Sequence, residues 1–241
     1  RETCAMSRLS KPGGARAGWA SVRLTVIVPT LNAEETLAAT LASIHCHAAE
    51  VIVGDGGSTD RTRDIARHHG ATVLTVPTGR GRQLAAAVAA AHGDWLLLLH
   101  ADTQLTPVWP DAVGAHMATD PTRAGYFRFA LDNSARSARW LEQAVAWRCR
   151  LFSLPYGDQG LLIHRDLLDD VGGIRPLPLM EDVDLALRLG AKRLTRLAAP
   201  AVTSAAKWER DGWLRRSARN LCCLVLFFLG VAPERIARIY R

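Results

Sequence analysis

Four apolar segments of this 241-residue chain are each followed by residues able to bind or transfer a group, and three of these junctions are densely polar. After Leu24 to Val28 come Thr30, Asn32 and Glu34; after Glu50 to Val53 come Asp55, Ser58 and Asp60; after Asp94 to Leu99 come His100 and Asp102. In an open parallel sheet, ligands sit in the crevice beyond the carboxyl ends of the strands, so this set is a candidate binding site. Asp60 and Asn32, each taken alone, read more simply as caps of the helices that follow. The turn GDGGSTD has Gly54 and Gly56 at dinucleotide spacing, but Thr59 holds the third glycine position and no Walker A sequence occurs. The NAD and P-loop readings are therefore weak. The turn is left with an exposed carboxylate, Asp55, suited to accept a hydrogen bond from a base edge or a ribose.

HADT, residues 100–103, leaves a wholly apolar run, and its i, i+2 spacing can aim His100 and Asp102 at one ion. Asp102 offers a hard oxygen for Mg²⁺ or Mn²⁺, and His100, as a ligand or as a support behind one, suits Mn²⁺ better. Such an ion would neutralise a departing diphosphate. MEDVDL places Glu181, Asp182 and Asp184 at a helix start, where the macrodipole favours negative charge. Capping explains one or two of these acids, and Asp182 or Glu181 remains open as a general base. In PYGDQG, Asp158 and Gln159 lie between glycines that permit close backbone approach to a ligand, or that simply make a turn.

The elements that must hold these residues alternate. Strands are predicted at 24–28, 50–53, 72–76 and 94–99, and helices at 34–44, 61–69 and 83–92, which is an α/β layer fold with a mostly parallel sheet. The second half is less regular: an antiparallel strand at 126–131, an amphipathic helix at 136–151 carrying Trp140, Leu141, Ala144 and Trp147, a strand at 161–164 and a helix at 180–189. A last helix is expected from Trp213 to about Leu229, apolar at Leu221, Leu224, Val225 and Phe228, with Arg215, Arg216 and Arg219 at its start.

With 49% hydrophobic residues the chain is not a disordered tail, and its net charge of +7 first suggests nucleic acid, an anionic membrane or a phosphorylated ligand. The surplus lies at the ends: residues 1–23 carry +4, residues 207–241 carry +5, and the middle carries −2. A nucleic-acid-binding domain more often stripes the folded face itself with Lys and Arg, so nucleic acid is not expected as a partner. Five scattered cysteines without a CxxC pair support neither a disulfide framework nor a zinc knuckle, and suggest a reducing compartment. The first residues lack the apolar run of a signal peptide and read as a basic leader, with Met6 a candidate start. The run LCCLVLFFLGVA is shorter than the roughly 20 residues that span a bilayer.

Together these segments resemble family 2 glycosyltransferases of the GT-A fold, from about Leu24 through Glu209. VIVPTLNAEETL resembles the family's opening strand and loop, VGDGGSTDRT its nucleotide-binding turn, GDWLLLLHADT the strand leading to its metal-binding D-x-D, and MEDVDL its E-D acceptor motif. The resemblance implies a nucleotide-diphospho-sugar transferase fold with a mostly parallel central sheet flanked by helices, over residues 23–209. A leader (1–22) would precede it, and a basic, apolar C-terminal helical appendage (210–241) would follow. It implies nucleotide-sugar contacts at Pro29, Thr30, Asn32, Glu34, Asp55, Gly57, Arg80, Arg82, Gln83, Ala101 and Asp102. A divalent cation, Mn²⁺ or Mg²⁺, would sit at Asp102 and His100, acceptor contacts at Gly157, Asp158 and Gln159, and the catalytic base at Asp182, with Glu181 beside it. Two departures stand out: His100 replaces the first Asp of D-x-D, and Ala85 and Ala87 stand where members usually carry Asn and Gly. The H-A-D variant, the PYGDQG loop and the ending WERDGWLRRSARN...GVAPERIARIYR resemble one bacterial subgroup. Its members are often labelled as similar to carotenoid-acid glycosyltransferases or as linked to arsenosugar synthesis.

The implied reaction is an inverting transfer of a sugar to a hydroxyl or carboxyl acceptor, lipid-like or a small metabolite. Alternatives are a sugar-nucleotide-making nucleotidyltransferase, though PTLNAEE lacks that class's basic, Gly-rich loop, and a non-catalytic basic binder of nucleic acid or membrane. The expected location is the cytoplasm, with residues 213–241 either docking on the inner face of the cell membrane, packing on the domain or joining two copies as a homodimer.

Overall fold

The computed structural model describes residues 23–45 and 47–240. The leader, its candidate start at Met6, Cys4 and Cys46 lie outside the described residues. The first half runs β1 (Leu24–Thr30), α1 (Leu37–Ile44), β2 (Glu50–Asp55), α2 (Thr62–His68), β3 (Thr72–Thr75), α3 (Arg80–Ala90) and β4 (Trp95–Leu98). Then follow β5 (Thr103–Leu105), α4 (Trp109–Thr119), β6 (Ala124–Leu131), α5 (Arg136–Phe152), β7 (Leu161–His164) and α6 (Arg165–Asp170). The last elements are α7 (Glu181–Leu189), β8 (Leu194–Thr203), α8 (Ala206–Asp211), α9 (Trp213–Phe228) and α10 (Pro233–Tyr240).

One eight-stranded sheet has the order β3-β2-β1-β4-β7-β6-β8-β5. Strands β1 to β4 are mutually parallel, β7 runs antiparallel to both β4 and β6, β6 and β8 are parallel, and β5 is antiparallel to β8. The expected strand at 126–131 is thus antiparallel to one neighbour and parallel to the other. Every residue of β4 is buried, and its side chains alternate between two cores: Leu96 and Leu98 pack with Ile27 and Leu84, while Trp95 and Leu97 pack with Val26, Val28 and Leu37. A strand covered by helices on both faces reads as a continuous apolar run, which DWLLLL does.

Strand β8 was not predicted because LTRLAAPAVT is rich in alanine and interrupted by Pro200. Its pairing with β5 begins only at Ala201, so Pro200 sits where the sheet is open on that side. Helix α4 starts with Pro110 in its first turn, a position that needs no intrahelical N–H.

On two helices much of the apolar face named from the sequence is exposed, although Leu141 and Leu224 pack against the core. On α5 the residues facing the core are Ala138, Val145 and Cys149, whereas Trp140 (75% exposed) and Trp147 (60%) face outward. On α9 the buried residues are Arg216 and Cys223, whereas Leu221 and Phe228 are exposed. Arg216 and Arg219 both pair with Asp211 (2.7 and 2.9 Å) and lie over the rings of Trp208 and Tyr240 respectively. Two of the three arginines at the start of this helix therefore point into the protein. Among the described residues, no helix is long and apolar enough to cross a membrane.

The first turn of α3 packs unusually close to the segment that leads into α7. Gly81 donates its N–H to Leu177 O (3.0 Å), and a Cβ there would lie 2.5 Å from both Arg175 O and Leu177 O. Backbone cannot yield cheaply, so Gly81→Ala should lower stability by about 1–3 kcal/mol. Urea unfolding should show a lower midpoint with an unchanged slope; an unchanged midpoint would mean the two segments are not held together there.

Candidate active site

The ends of β1 and β2 are stitched to each other by their own polar residues. The Asp55 carboxylate accepts from the Thr30 hydroxyl (3.2 Å), the Ser58 hydroxyl (2.5 Å) and the N–H groups of Gly57 (3.1 Å) and Ser58 (3.0 Å). It is fully buried. The exposed carboxylate expected at Asp55 is not found: its lone pairs are spent on the turn it shapes, and Gly57, at φ 94°, supplies the left-handed conformation that closes the turn. Asn32 does not cap α1. Its side-chain oxygen accepts from Thr59 N–H (2.9 Å), while its own N–H donates to Ser58 Oγ (2.9 Å). Asp60 does serve the start of α2, accepting from Thr62 N–H (3.0 Å), and also accepts from Glu34 N–H (3.1 Å). Glu34 itself turns away to accept from Arg61. Gln83, on α3, is buried and donates to Thr30 O (2.6 Å) and Gly54 O (2.8 Å), so it braces the two strand ends and is not free to meet a diphosphate. Arg82 is exposed beside it.

Arg80 opens α3 and reaches across to α7. Its Nε donates to Glu181 Oε1 (2.5 Å), Nη2 lies 3.8 Å from Asp182 Oδ2, and Nη1 lies 3.5 Å from His100 Nε2. The two adjacent acids differ sharply. Glu181 is buried behind the pocket, and burial, reinforced by the neighbouring Asp182 charge and opposed by Arg80, raises its pKa to about 7. Burial also works against ionisation of Asp182, but Arg80 and the Gly157 N–H (2.8 Å) outweigh it, so its pKa falls below the ordinary value. Asp182 is therefore the ionised acid facing the cavity at neutral pH. Asp184 is structural, held by Arg175 (2.8 Å) and Arg188 (2.9 Å).

Asp102 sits beyond β4, and its Oδ2 accepts from Lys207 Nζ (2.6 Å). Burial opposes its ionisation, yet Lys207 holds its pKa below the usual carboxylate range. Burial and the nearby Arg80 charge depress His100 to about 4, leaving a neutral imidazole at physiological pH. Asp102 and His100 thus present one hard oxygen and one neutral nitrogen to the same cavity, a donor set suited to Mn²⁺ or Mg²⁺ when a ligand completes the shell. No group of three or more His, Cys, Asp or Glu able to hold a metal occurs among the described residues. Lys207, one of the surplus basic residues of the 207–241 segment, thus stands at the site and not on an outer face.

The 155–160 loop closes the other side. Gly157 gives its N–H to Asp182, and a Cβ there would collide with His100 Nε2. Gln159 turns inward: its Oε1 accepts from Arg148 Nη2 (3.2 Å) and its Nε2 donates to Phe127 O (3.1 Å), so it fixes the loop and does not reach the cavity. Asp158 stays at the cavity, and burial, opposed by Arg148 and reinforced by Asp182, raises its pKa to about 6. Arg148 stacks over Tyr156 (3.3 Å), which also lines the cavity; neither was foreseen.

Two cavities meet at one wall. A crevice of about 630 Å³ runs along Pro29, Asn32, Ala33 and Thr36. A smaller pocket of about 110 Å³ is lined by Tyr156, Asp158, Asp182, Thr203 and Trp208. Arg80, His100, Asp102 and Lys207 line both. Pro29, Asn32, Arg80, Ala101 and Asp102 are therefore brought together on one crevice, whereas Asp55 and Gln83 support it from beneath.

Residues 25–176 match the family model described as glycosyl transferase family 2. The chain belongs to this family. Family membership sets aside the nucleotidyltransferase alternative. An uncharacterized glycosyltransferase of Mycobacterium tuberculosis is 40% identical over 80 residues, 33% of this chain and 36% of the relative. A PGL/p-HBAD biosynthesis glycosyltransferase of Mycobacterium bovis is 36% identical over 96 residues, 36% of this chain and 38% of the relative. The chain spans about a third of the length of the curated relatives it matches. The fold is that of glucosyl-3-phosphoglycerate synthase from Mycobacterium tuberculosis, solved with Mn²⁺ and UDP-glucose (TM-score 0.56, 24% identity, covering 81% of this chain and 75% of that one). This agrees with the GT-A architecture expected from the sequence.

The raised pKa of Asp158 has a consequence for stability. A carboxyl that binds its proton more tightly when folded loses stability for the protein as pH rises from its ordinary value of 3.8 to about 6. Asp158→Asn should therefore gain thermal stability relative to the native chain across that window, with a constant difference above it. A pH series of melting curves checks this; a difference flat throughout would mean Asp158 is not held in a desolvated site.

Proposed function

We propose that the chain transfers a sugar from a nucleotide-diphospho-sugar to a hydroxyl or carboxyl acceptor with inversion at the anomeric carbon. The observation that carries this reading is the shared wall: a donor-sized crevice and a small pocket containing an ionised carboxylate meet at Arg80, His100, Asp102 and Lys207. The nucleoside end would lie along the 29–36 loop, whose shape is set by Asp55, Ser58 and Asn32. The diphosphate would lie at the wall, where Lys207 and Arg80 present positive charge and Arg210 lines the rim.

Asp182 faces the acceptor side. A hydroxyl placed there attacks the anomeric carbon as the bond from that carbon to the diphosphate oxygen breaks. The hydroxyl proton passes to Asp182, and the bonding electron pair leaves with the nucleoside diphosphate. A low pKa makes Asp182 a modest base, but it keeps the group ionised throughout the neutral range. A carboxylate acceptor needs no base at all. Asp102 and His100 would hold the divalent cation together with diphosphate oxygens. When bound, the ion supplies charge neutralisation for the leaving group, as the Mn²⁺ present with UDP-glucose in the solved relative suggests. Glu181 acts through Arg80 and does not touch substrate.

Two measurements test the reading. Melting curves with UDP-, GDP- and dTDP-sugars, each with Mn²⁺ or Mg²⁺, should show a rise for one donor class, and no rise with any would overturn it. With that donor and a hydroxyl acceptor, Asp182→Asn should lower turnover by about 10²- to 10⁴-fold and leave donor affinity near normal. Near-normal turnover would contradict the assignment.

A further inference from the structure

A second opening leads out of the pocket on the side away from the donor crevice. We propose that the groove between α5 and α9, about 850 Å³, binds the apolar chain of an amphiphilic acceptor whose hydroxyl or carboxyl end reaches Asp182. This rests on the glycosyltransferase reading above and adds the acceptor's chemical class.

Three observations support it. First, the two helices with partly exposed apolar faces line this groove: Trp147, Leu151 and Phe152 from α5 lie opposite Leu221, Leu224 and Phe228 from α9. Exposed apolar surface of this extent marks a binding site, particularly where the arginines of the same helices, Arg148 and Arg216, are turned inward instead. Second, the groove is continuous with the pocket, because Tyr156, Asp158, Trp208 and Asn220 line both. Third, the junction is polar and unsatisfied. Asp158 Oδ1, Asn220 Oδ1 and Trp208 Nε1 are buried without a hydrogen-bond partner, and Trp208 is 7% exposed. A ligand with a polar head at this junction and an apolar tail beyond it satisfies all three observations. A second copy or a membrane surface would cover the apolar rim and leave the three inner polar atoms unpaired.

The groove also sets a length. The eleven helical steps from Leu141 to Phe152 span roughly 17 Å at about 1.5 Å per residue. That is about half the ~30 Å hydrocarbon core of a bilayer, the reach of one acyl chain.

The test uses the full chain and homologous series of n-alkanols and n-alkanoic acids, from butyl to hexadecyl. Binding is read by tryptophan fluorescence, since Trp147 and Trp208 line the groove, and transfer is read with the donor identified by melting curves. Affinity should rise roughly fourfold per methylene and then level once the groove is full. Leu151→Glu and Phe228→Glu change exposed residues and should abolish the chain-length dependence, leaving transfer to the short members and donor affinity unchanged. Donor binding and donor hydrolysis with no chain-length dependence would overturn the groove proposal alone. Absence of donor binding would overturn the transferase reading on which it rests. Sedimentation under the same conditions separates a further outcome: a dimer that either variant dissociates, with no effect of chain length, would assign the groove to a second copy and overturn the proposal. Vesicle binding lost in both variants, again without chain-length dependence, would assign the face to a membrane and overturn it equally.

Discussion

One half-buried guanidinium organises this site. Arg80 stands between Glu181 and Asp182, two adjacent acids that could not both remain ionised in a desolvated pocket without it, and His100 lies within 3.5 Å. The surrounding structure is arranged so that Arg80 cannot drift. Gly81 locks the first turn of α3 against residues 175–177, and Gln83, one turn further along, ties the same helix to the ends of β1 and β2. A single helix start therefore sets the donor loops and the acceptor helix in register with each other.

The asymmetry between the two acids follows from what each touches. Asp182 has a backbone N–H from Gly157 and the more distant side of Arg80, and it faces the cavity. Glu181 has the close contact with Arg80 but is sealed under apolar residues of α3 and α7. Burial raises one and directed hydrogen bonds lower the other, which separates a charged group facing substrate from a titrating group behind it.

The strand ends were legible in the sequence because a doubly covered strand cannot hide its apolar run and its last residues must be polar to meet ligand. Thus the four parallel strands β1 to β4 read directly, and the structure brings His100, Asp102 and Asp182 to one cavity. Less legible were residues whose role depends on long-range packing. Asp55 and Gln83 have the residue types of ligand contacts, yet the crossing of α3 over two strand ends makes them internal braces. Lys207 lies far along the chain, in a segment whose charge looked like surplus, and only the return of β8 beside β6 carries it to Asp102. The amphipathic patterns of α5 and α9 were legible as patterns but not what each face meets, because periodicity reports an apolar face without saying whether core or groove receives it. The +7 accordingly divides in a different way: some of the C-terminal basic residues line the crevice wall or lock onto Asp211, and they are not all free for an external partner.

The central claim is that two neighbouring carboxylates beside one guanidinium are held in different states, Glu181 by its burial and Asp182 by Arg80 and the Gly157 N–H. Carbon-detected NMR titration of the Asp and Glu side-chain carboxyls, assigned through Glu181→Gln and Asp182→Asn, measures this directly. The account predicts that Glu181 titrates near 7 and Asp182 below its ordinary range. Titration of both acids at ordinary carboxylate values would contradict it.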